Sequence, residues 1–185
     1  MRIPFRQQLL QPQRRDGYPA AEIRSLALLR QPVFIYGEPG TGKEQIARYL
    51  YLHSSLANHP FIVVNCALLN EKTWDFLLNH YNSPLSATGN TIYFQNFESI
   101  PPQWSSELLA AIEETGLARR VRLIFSCSVV EGEPVPEVLR HFSERLGSLA
   151  LPLPSCAAVP TRSRLSSSLY LNSLNSSWAS SSRAS

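Results

Sequence analysis

Cysteine is scarce in this chain: Cys66, Cys127 and Cys156 are its three. They are too few and too scattered for a disulfide framework or a zinc site, and they fit a reducing cytoplasm. Long apolar runs are missing, and no stretch approaches the ~18–20 residues of a membrane span. The start, Met1-Arg2-Ile3-Pro4, lacks the apolar segment of a signal peptide. A basic surface is missing as well. The formal charge is +3, yet all 14 acidic residues and 14 of the 17 basic ones precede Ser155. Residues 1–154 are therefore neutral, and the excess comes from Arg162, Arg164 and Arg183. That excludes the clustered positive patch of a nucleic-acid binder. His53, His59, His80 and His141 show no metal-ligand spacing and read as surface residues, so no protein-ligated metal site is expected.

What is present is a globular composition. The 185 residues are 44% hydrophobic and 17% charged, enough for one domain with a real core. Residues 1–19, rich in Gln, Arg and Pro, read as an irregular arm. A short helix is expected from Ala20 to Arg30, with Ile23, Leu26, Leu28 and Leu29 on one side. From there strands and helices alternate. Val33–Tyr36, Phe61–Val64, Thr91–Phe94 and Val121–Phe125 read as strands, and Leu149–Leu153 as a fifth. Helices are expected at Lys43–Leu56, packing through Ile46, Ala47, Leu50 and Leu52, and at Trp74–His80. Two more follow at Trp104–Thr115, where Leu108, Leu109 and Ile112 form the stripe and Gly116 the stop, and at Val135–Leu146. Such alternation predicts an α/β domain with a parallel sheet covered by helices.

Between the first strand and its helix stands Gly37-Glu38-Pro39-Gly40-Thr41-Gly42-Lys43, a match to G-x-x-x-x-G-K in the context that motif requires. Glycines at 37, 40 and 42 permit a tight loop whose backbone N–H groups turn inward toward phosphate oxygens. The helix N-terminus adds partial positive charge, and Lys43 adds a full one for the β- and γ-phosphates. The implied ligand is a nucleoside triphosphate such as ATP. The next position normally gives magnesium a hydroxyl; here it is Glu44, so Mg2+ must be held in another way, and weakly.

The segment Gly37–Glu44 followed by Ile46-Ala47-Arg48 resembles the P-loop of the AAA+ domain in bacterial sigma-54-dependent transcription activators. Collinear landmarks extend the resemblance over residues 20–154: Pro60-Phe61, Asn65-Cys66-Ala67, the strand Thr91–Phe94, Ile100-Pro101, Leu108-Leu109 with Ile112, Val121–Ile124, Arg145-Leu146 and Leu151–Pro154. It implies a P-loop NTPase, AAA+ three-layer sandwich with a mainly parallel five-stranded sheet, and self-association through the AAA+ interface. It also places Walker B at Gln95 and Asn96, a sensor at Ser128, and an arginine finger at Arg145, with Arg140 off by one.

The departures concern the chemistry. Walker B should end in two acids, one for magnesium and one to activate water; Gln95 and Asn96 are amides and cannot serve as carboxylate bases. Their alternative reading is a polar strand end. Glu98 lies two residues further along as a substitute acid, and Arg140 and Arg145 are equally readable as solvated helix residues. The stretch Leu77–Pro84 holds nothing like the Gly-Ala-Phe-Thr-Gly-Ala signature that touches sigma-54, so contact by that route is not implied.

From Ser155 the composition changes. Twelve of the 31 residues at 155–185 are serine, and none is acidic, Lys or Gly. That favours disorder, with a docked helix through Leu165, Leu169, Leu171, Leu174 and Trp178 as the alternative. A one-base loss near the Ser155 codon would account for the change. One coding of Cys156–Ser163, with a C restored in front, reads Leu-Arg-Ser-Arg-Pro-Asp-Glu-Ile, close to the family motif; the gene sequence decides this. The family's helical lid and its DNA-binding helix-turn-helix are then absent, and no direct DNA contact is expected. Three functions remain open: an ATP-binding regulatory module with weak or no hydrolysis, an ATPase using an acid such as Glu98, and an interaction module with a vestigial P-loop. A small P-loop kinase is a fourth, disfavoured by the missing hydroxyl at Glu44.

Overall fold

The computed structural model describes residues 20–130 and 134–154. The arm at 1–19 and the Ser-rich segment at 155–185, with the helix and reading-frame readings made for it, lie outside the described residues. The elements run α1 (Ala20–Leu28), β1 (Val33–Gly37), α2 (Lys43–Leu52), β2 (Phe61–Asn65), α3 (Glu71–Asn79), β3 (Thr91–Gln95), α4 (Pro102–Thr115), α5 (Leu117–Arg120), β4 (Arg122–Ser128), α6 (Glu137–Leu146) and β5 (Leu149–Pro152). Two 3-10 turns, Cys66–Leu68 and Phe97–Ser99, follow β2 and β3.

The five strands form one parallel sheet in the order β2-β3-β4-β1-β5. Parallel neighbours need crossovers, and the helices supply them. Leaving β1, the chain crosses to β2 at one edge; leaving β4, it crosses to β5 beyond β1. The loops after β1 and β4 therefore part above neighbouring strand ends, the place where open α/β sheets leave a crevice.

Strand residues alternate between two buried faces, which accounts for their near-continuous apolar sequences. Val33, Ile35, Tyr93, Ile124 and Leu151 face a core shared with Ile23 and Ala27 of α1 and Ala47 and Leu50 of α2. Phe34, Phe94 and Phe125 face the other way, toward Trp74 and Leu77 of α3, Leu108 and Ile112 of α4, and Leu139 and Phe142 of α6. Helices thus cover both faces, giving three layers. On the second face Phe125 stacks between Phe94 (ring centroids 5.0 Å) and Phe34 (4.8 Å), each its register neighbour on the adjacent strand. Phe97 and Phe142 close the stack edge-on or tilted.

Helix ends follow local chemistry. Asn70 and Thr73 form a capping box (3.0 and 3.2 Å), which starts α3 ahead of Trp74. Gly116 at φ +61° ends α4, as its sequence position predicts. Three expectations need correction. The helix expected to Leu56 ends at Leu52, because the Tyr51 hydroxyl donates to Ala57 O (2.6 Å) and His59 O (2.7 Å) and folds the following turn back. Leu28, Leu29 and Leu52 are exposed; Ala27 takes the inward position on α1. His53 is half-buried against the Tyr49 ring rather than lying on the surface.

One buried charge was not foreseen. Arg122, at the start of β4, is 2% exposed. Its guanidinium donates to Ala27 O and, at 2.9 Å, to Leu26 O, carbonyls of the last turn of α1, the latter also accepting from Leu29 N at 3.2 Å.

Candidate phosphate site and its far wall

The loop after β1 uses its glycines for two different reasons. Gly40 (φ +82°) and Gly42 (φ +84°) adopt the left-handed conformation that side chains disfavour. Gly37 is needed for space: a Cβ there would lie 2.8 Å from Thr41 Oγ1 and 3.0 Å from Leu153 Cβ. Lys43 opens α2, so the helix's unpaired first-turn N–H groups lie at the loop. Its Nζ donates to Gly37 O (2.9 Å) and Glu38 O (2.8 Å), and Thr41 Oγ1 also donates to Glu38 O (2.8 Å). Burial lowers the Lys43 pKa, while the Glu98 carboxylate acts to raise it. Glu44 points away into an exposed pair with Arg48 at 2.9 Å.

The far wall is the end of β3 and the turn beyond it. Gln95 lies opposite Asn65 in register. Asn96 has φ +55°, the one positive φ outside glycine among the described residues, and Asn tolerates that region better than most side chains. Its Nδ2 donates to Asn65 Oδ1 (3.1 Å), which also accepts from Ala67 N at 3.1 Å. The Asn96 amide is therefore tied to the end of β2, while Gln95 meets β2 through strand pairing.

Phe97 is fully buried in the aromatic cluster, and that anchor fixes the turn carrying Glu98. The Cys127 thiol donates to Ser128 O at 3.8 Å, and the Glu98 carboxylate is close enough for its charge to be felt at Lys43, Cys66 and Cys127. Its Oε2 is buried and has no hydrogen-bond partner. Burial first, then Glu98, pushes both thiols up to about 12. Cys127 was not singled out in the sequence as a site residue. The signal was β4 running on to Ser128, beyond the apolar run used to place the strand.

Ser128 stands opposite Gly37 in register, and Val129 N donates to Gly37 O at 3.2 Å, so Ser128 lies beside the loop. Arg145 and Arg140 are occupied elsewhere: Arg145 forms a forked pair with Glu113 of α4 (2.9 Å), and Arg140 pairs with Glu137 at 3.6 Å. The stretch Leu77–Pro84 contains the end of α3 and the exposed His80 and Tyr81, which stack with the preceding Phe76. Among the described residues no group of His, Cys, Asp or Glu forms a metal cluster, and no helix is long and apolar enough to cross a membrane.

With this geometry in view, the family described as the Sigma-54 interaction domain matches residues 20–152. The chain belongs to that family. The Nif-specific regulatory protein of Rhodobacter capsulatus is 35% identical over 107 residues, 51% of this chain and 18% of that protein. The Psp operon transcriptional activator of Escherichia coli K12 is 36% identical over 111 residues, 53% of this chain and 34% of that protein. The chain thus spans well under half the length of these relatives. Among solved structures, NtrX from Brucella abortus in complex with ATP superposes with a TM-score of 0.60 at 24% identity, covering 77% of this chain and 39% of that one. The P-loop NTPase domain of an Escherichia coli sigma-54 activator gives 0.50 at 19% identity, covering 72% of this chain and 89% of that one. The fold of this sigma-54 interaction domain is accordingly the P-loop NTPase sandwich, with all five strands parallel.

Proposed function

We propose that this chain is the ATP-binding AAA+ module of a bacterial, cytoplasmic transcription regulator of the sigma-54 activator type, with weak or no hydrolysis. The observation that carries the reading is a formed phosphate loop facing a strand end that presents amides. Gly37–Lys43 has the backbone and the cation to hold phosphates, whereas Gln95 and Asn96 cannot take a proton from water. The ATP and ADP complexes of NtrX support nucleotide as the ligand. In this reading the nucleotide is the main small-molecule partner, and self-association runs through the AAA+ interface. Leu77–Pro84 lacks the signature through which the family touches sigma-54, so that route is not part of the reading.

Magnesium would accompany ATP, neutralising charge between the phosphates and the protein. The residues fit such an ion only partly. Position 44 offers no hydroxyl, and Glu44 is paired with Arg48. Glu98 does offer a buried carboxylate oxygen without a partner.

Titration with labelled ATP, with and without Mg2+, tests the reading. Binding lost in Lys43→Ala, with negligible phosphate release from the wild type at saturating ATP, is the expected result. No binding in the wild type overturns it and leaves a vestigial loop in an interaction module. One observation favours a second reading, an active ATPase: the unpartnered Glu98 oxygen on the far wall. Steady turnover abolished in Glu98→Gln would establish that instead.

A further inference from the structure

Glu98 is a charge in an unusual position. It is half-buried, with one oxygen fully covered and unpartnered. A covered carboxylate oxygen without a donor is costly, and folded proteins retain one where a cation compensates it. The nearby Cys127 thiol is a weak donor and is directed to Ser128 O at 3.8 Å, so it supplies little. Lys43 is the cation that feels the Glu98 charge, yet its Nζ is committed to Gly37 O and Glu38 O. Phe97, packed into the aromatic core, keeps the turn from carrying Glu98 out to solvent.

Nucleotide binding would sharpen this conflict. The phosphates would draw Lys43 to themselves and bring several negative charges to the loop. Glu98 would then face like charge across the site, at reduced dielectric, with Lys43 engaged by the phosphates. A divalent cation between the carboxylate and the phosphates removes the repulsion and satisfies the orphaned oxygen.

We propose that Glu98 makes nucleotide binding by this loop conditional on a divalent cation, acting as the carboxylate on the metal side of the site in place of the amides at Gln95 and Asn96. The role is electrostatic and concerns binding; it requires no hydrolysis. It rests on the reading of Gly37–Lys43 as an ATP site. Metal-free ATP is repelled by Glu98, and Mg2+·ATP is accepted.

The test is equilibrium binding of labelled ATP to the full chain, in excess EDTA and in excess Mg2+, for the wild type, Glu98→Gln and Glu98→Asp. The wild type should bind Mg2+·ATP about tenfold or more tightly than metal-free ATP, the size expected of one unit charge near the phosphates. Glu98→Gln should bring the two affinities together, chiefly by strengthening metal-free binding. Glu98→Asp keeps the charge and should keep the difference. A wild type that binds both forms equally, or a Glu98→Gln variant with the wild-type ratio, overturns the inference while leaving the ATP site intact. A wild type that binds neither form overturns the ATP site itself, and this inference with it. Should Glu98→Gln not fold, as judged by its thermal melt, the wild-type and Glu98→Asp ratios still decide: equal affinities in either sink the proposal.

Discussion

At the residue scale the loop separates two kinds of glycine. Gly40 and Gly42 are there for conformation, Gly37 for room beside Thr41 and Leu153. Gly42→Ala should cost about 1–2 kcal/mol, the penalty of a left-handed L-residue. It should also weaken ATP binding, since Gly42 orients the first turn of α2; thermal melts and titration measure the two effects. Gly37→Ala should displace Thr41 or Leu153, so its loss of affinity should persist where the left-handed penalty does not apply. The thiols give a pH prediction. Cys66 and Cys127 rise from their ordinary 9.0 to about 12. A raised pKa in the folded state means stability fully present below pH 9 and lost as pH climbs toward 12. Denaturant midpoints measured from pH 8 to pH 10 should therefore fall, and the slope should be shallower in Cys127→Ala. Over that window Arg122 and Tyr36, shifted to about 10 and about 12, contribute little.

At the scale of elements, the aromatic ladder and one buried guanidinium hold the layers. Phe125 touches aromatic partners on β3, β1, α6 and the turn that carries Glu98. Phe125→Ala should cost about 3–5 kcal/mol, the range for emptying a core aromatic site. Because Phe97 would lose a neighbour, the same change should also disturb the Glu98 turn. Arg122 is different in kind, for it ties the first strand residue of β4 to the end of α1 through carbonyls rather than an acid. Arg122→Ala should cost about 1–3 kcal/mol, chiefly for the Ala27 carbonyl left unmet, since Leu26 O keeps the Leu29 N–H. Amide hydrogen exchange should show the loss in α1 first, while β3 stays protected. Much at this scale was legible in the sequence. Apolar runs bounded by turn residues located all five strands, and Gly116 marked a helix end. The end of α2 was not legible, because the bonds that turn the chain there come from the Tyr51 hydroxyl, a contact outside any helical period.

At the scale of the whole domain, the sheet order puts the ends of β1, β4 and β3 side by side, so that Gly37, Ser128 and Gln95 come together from three distant stretches of chain. A protein cut to residues 20–154 should keep both the ATP affinity and the melting temperature of the full chain, since both cores described above close within it. A large drop in either would show that the outer segments contribute to the fold or the site. The phosphate loop itself was determined by sequence: its glycines, its lysine and the flanking strand and helix are local, and local geometry needs no distant partner. The amides at Gln95 and Asn96, where the family resemblance leads one to expect acids, were equally plain, being a matter of residue identity. What only the tertiary structure decided is what those substitutions face. Asn96 meets Asn65 from another strand, and Glu98 is turned back toward Cys127 and within electrostatic reach of Lys43 because Phe97 is pinned in a core assembled from β1, β3, β4 and α6. Spacing along the chain cannot specify that direction, because the anchor that sets it is made of residues far apart in sequence.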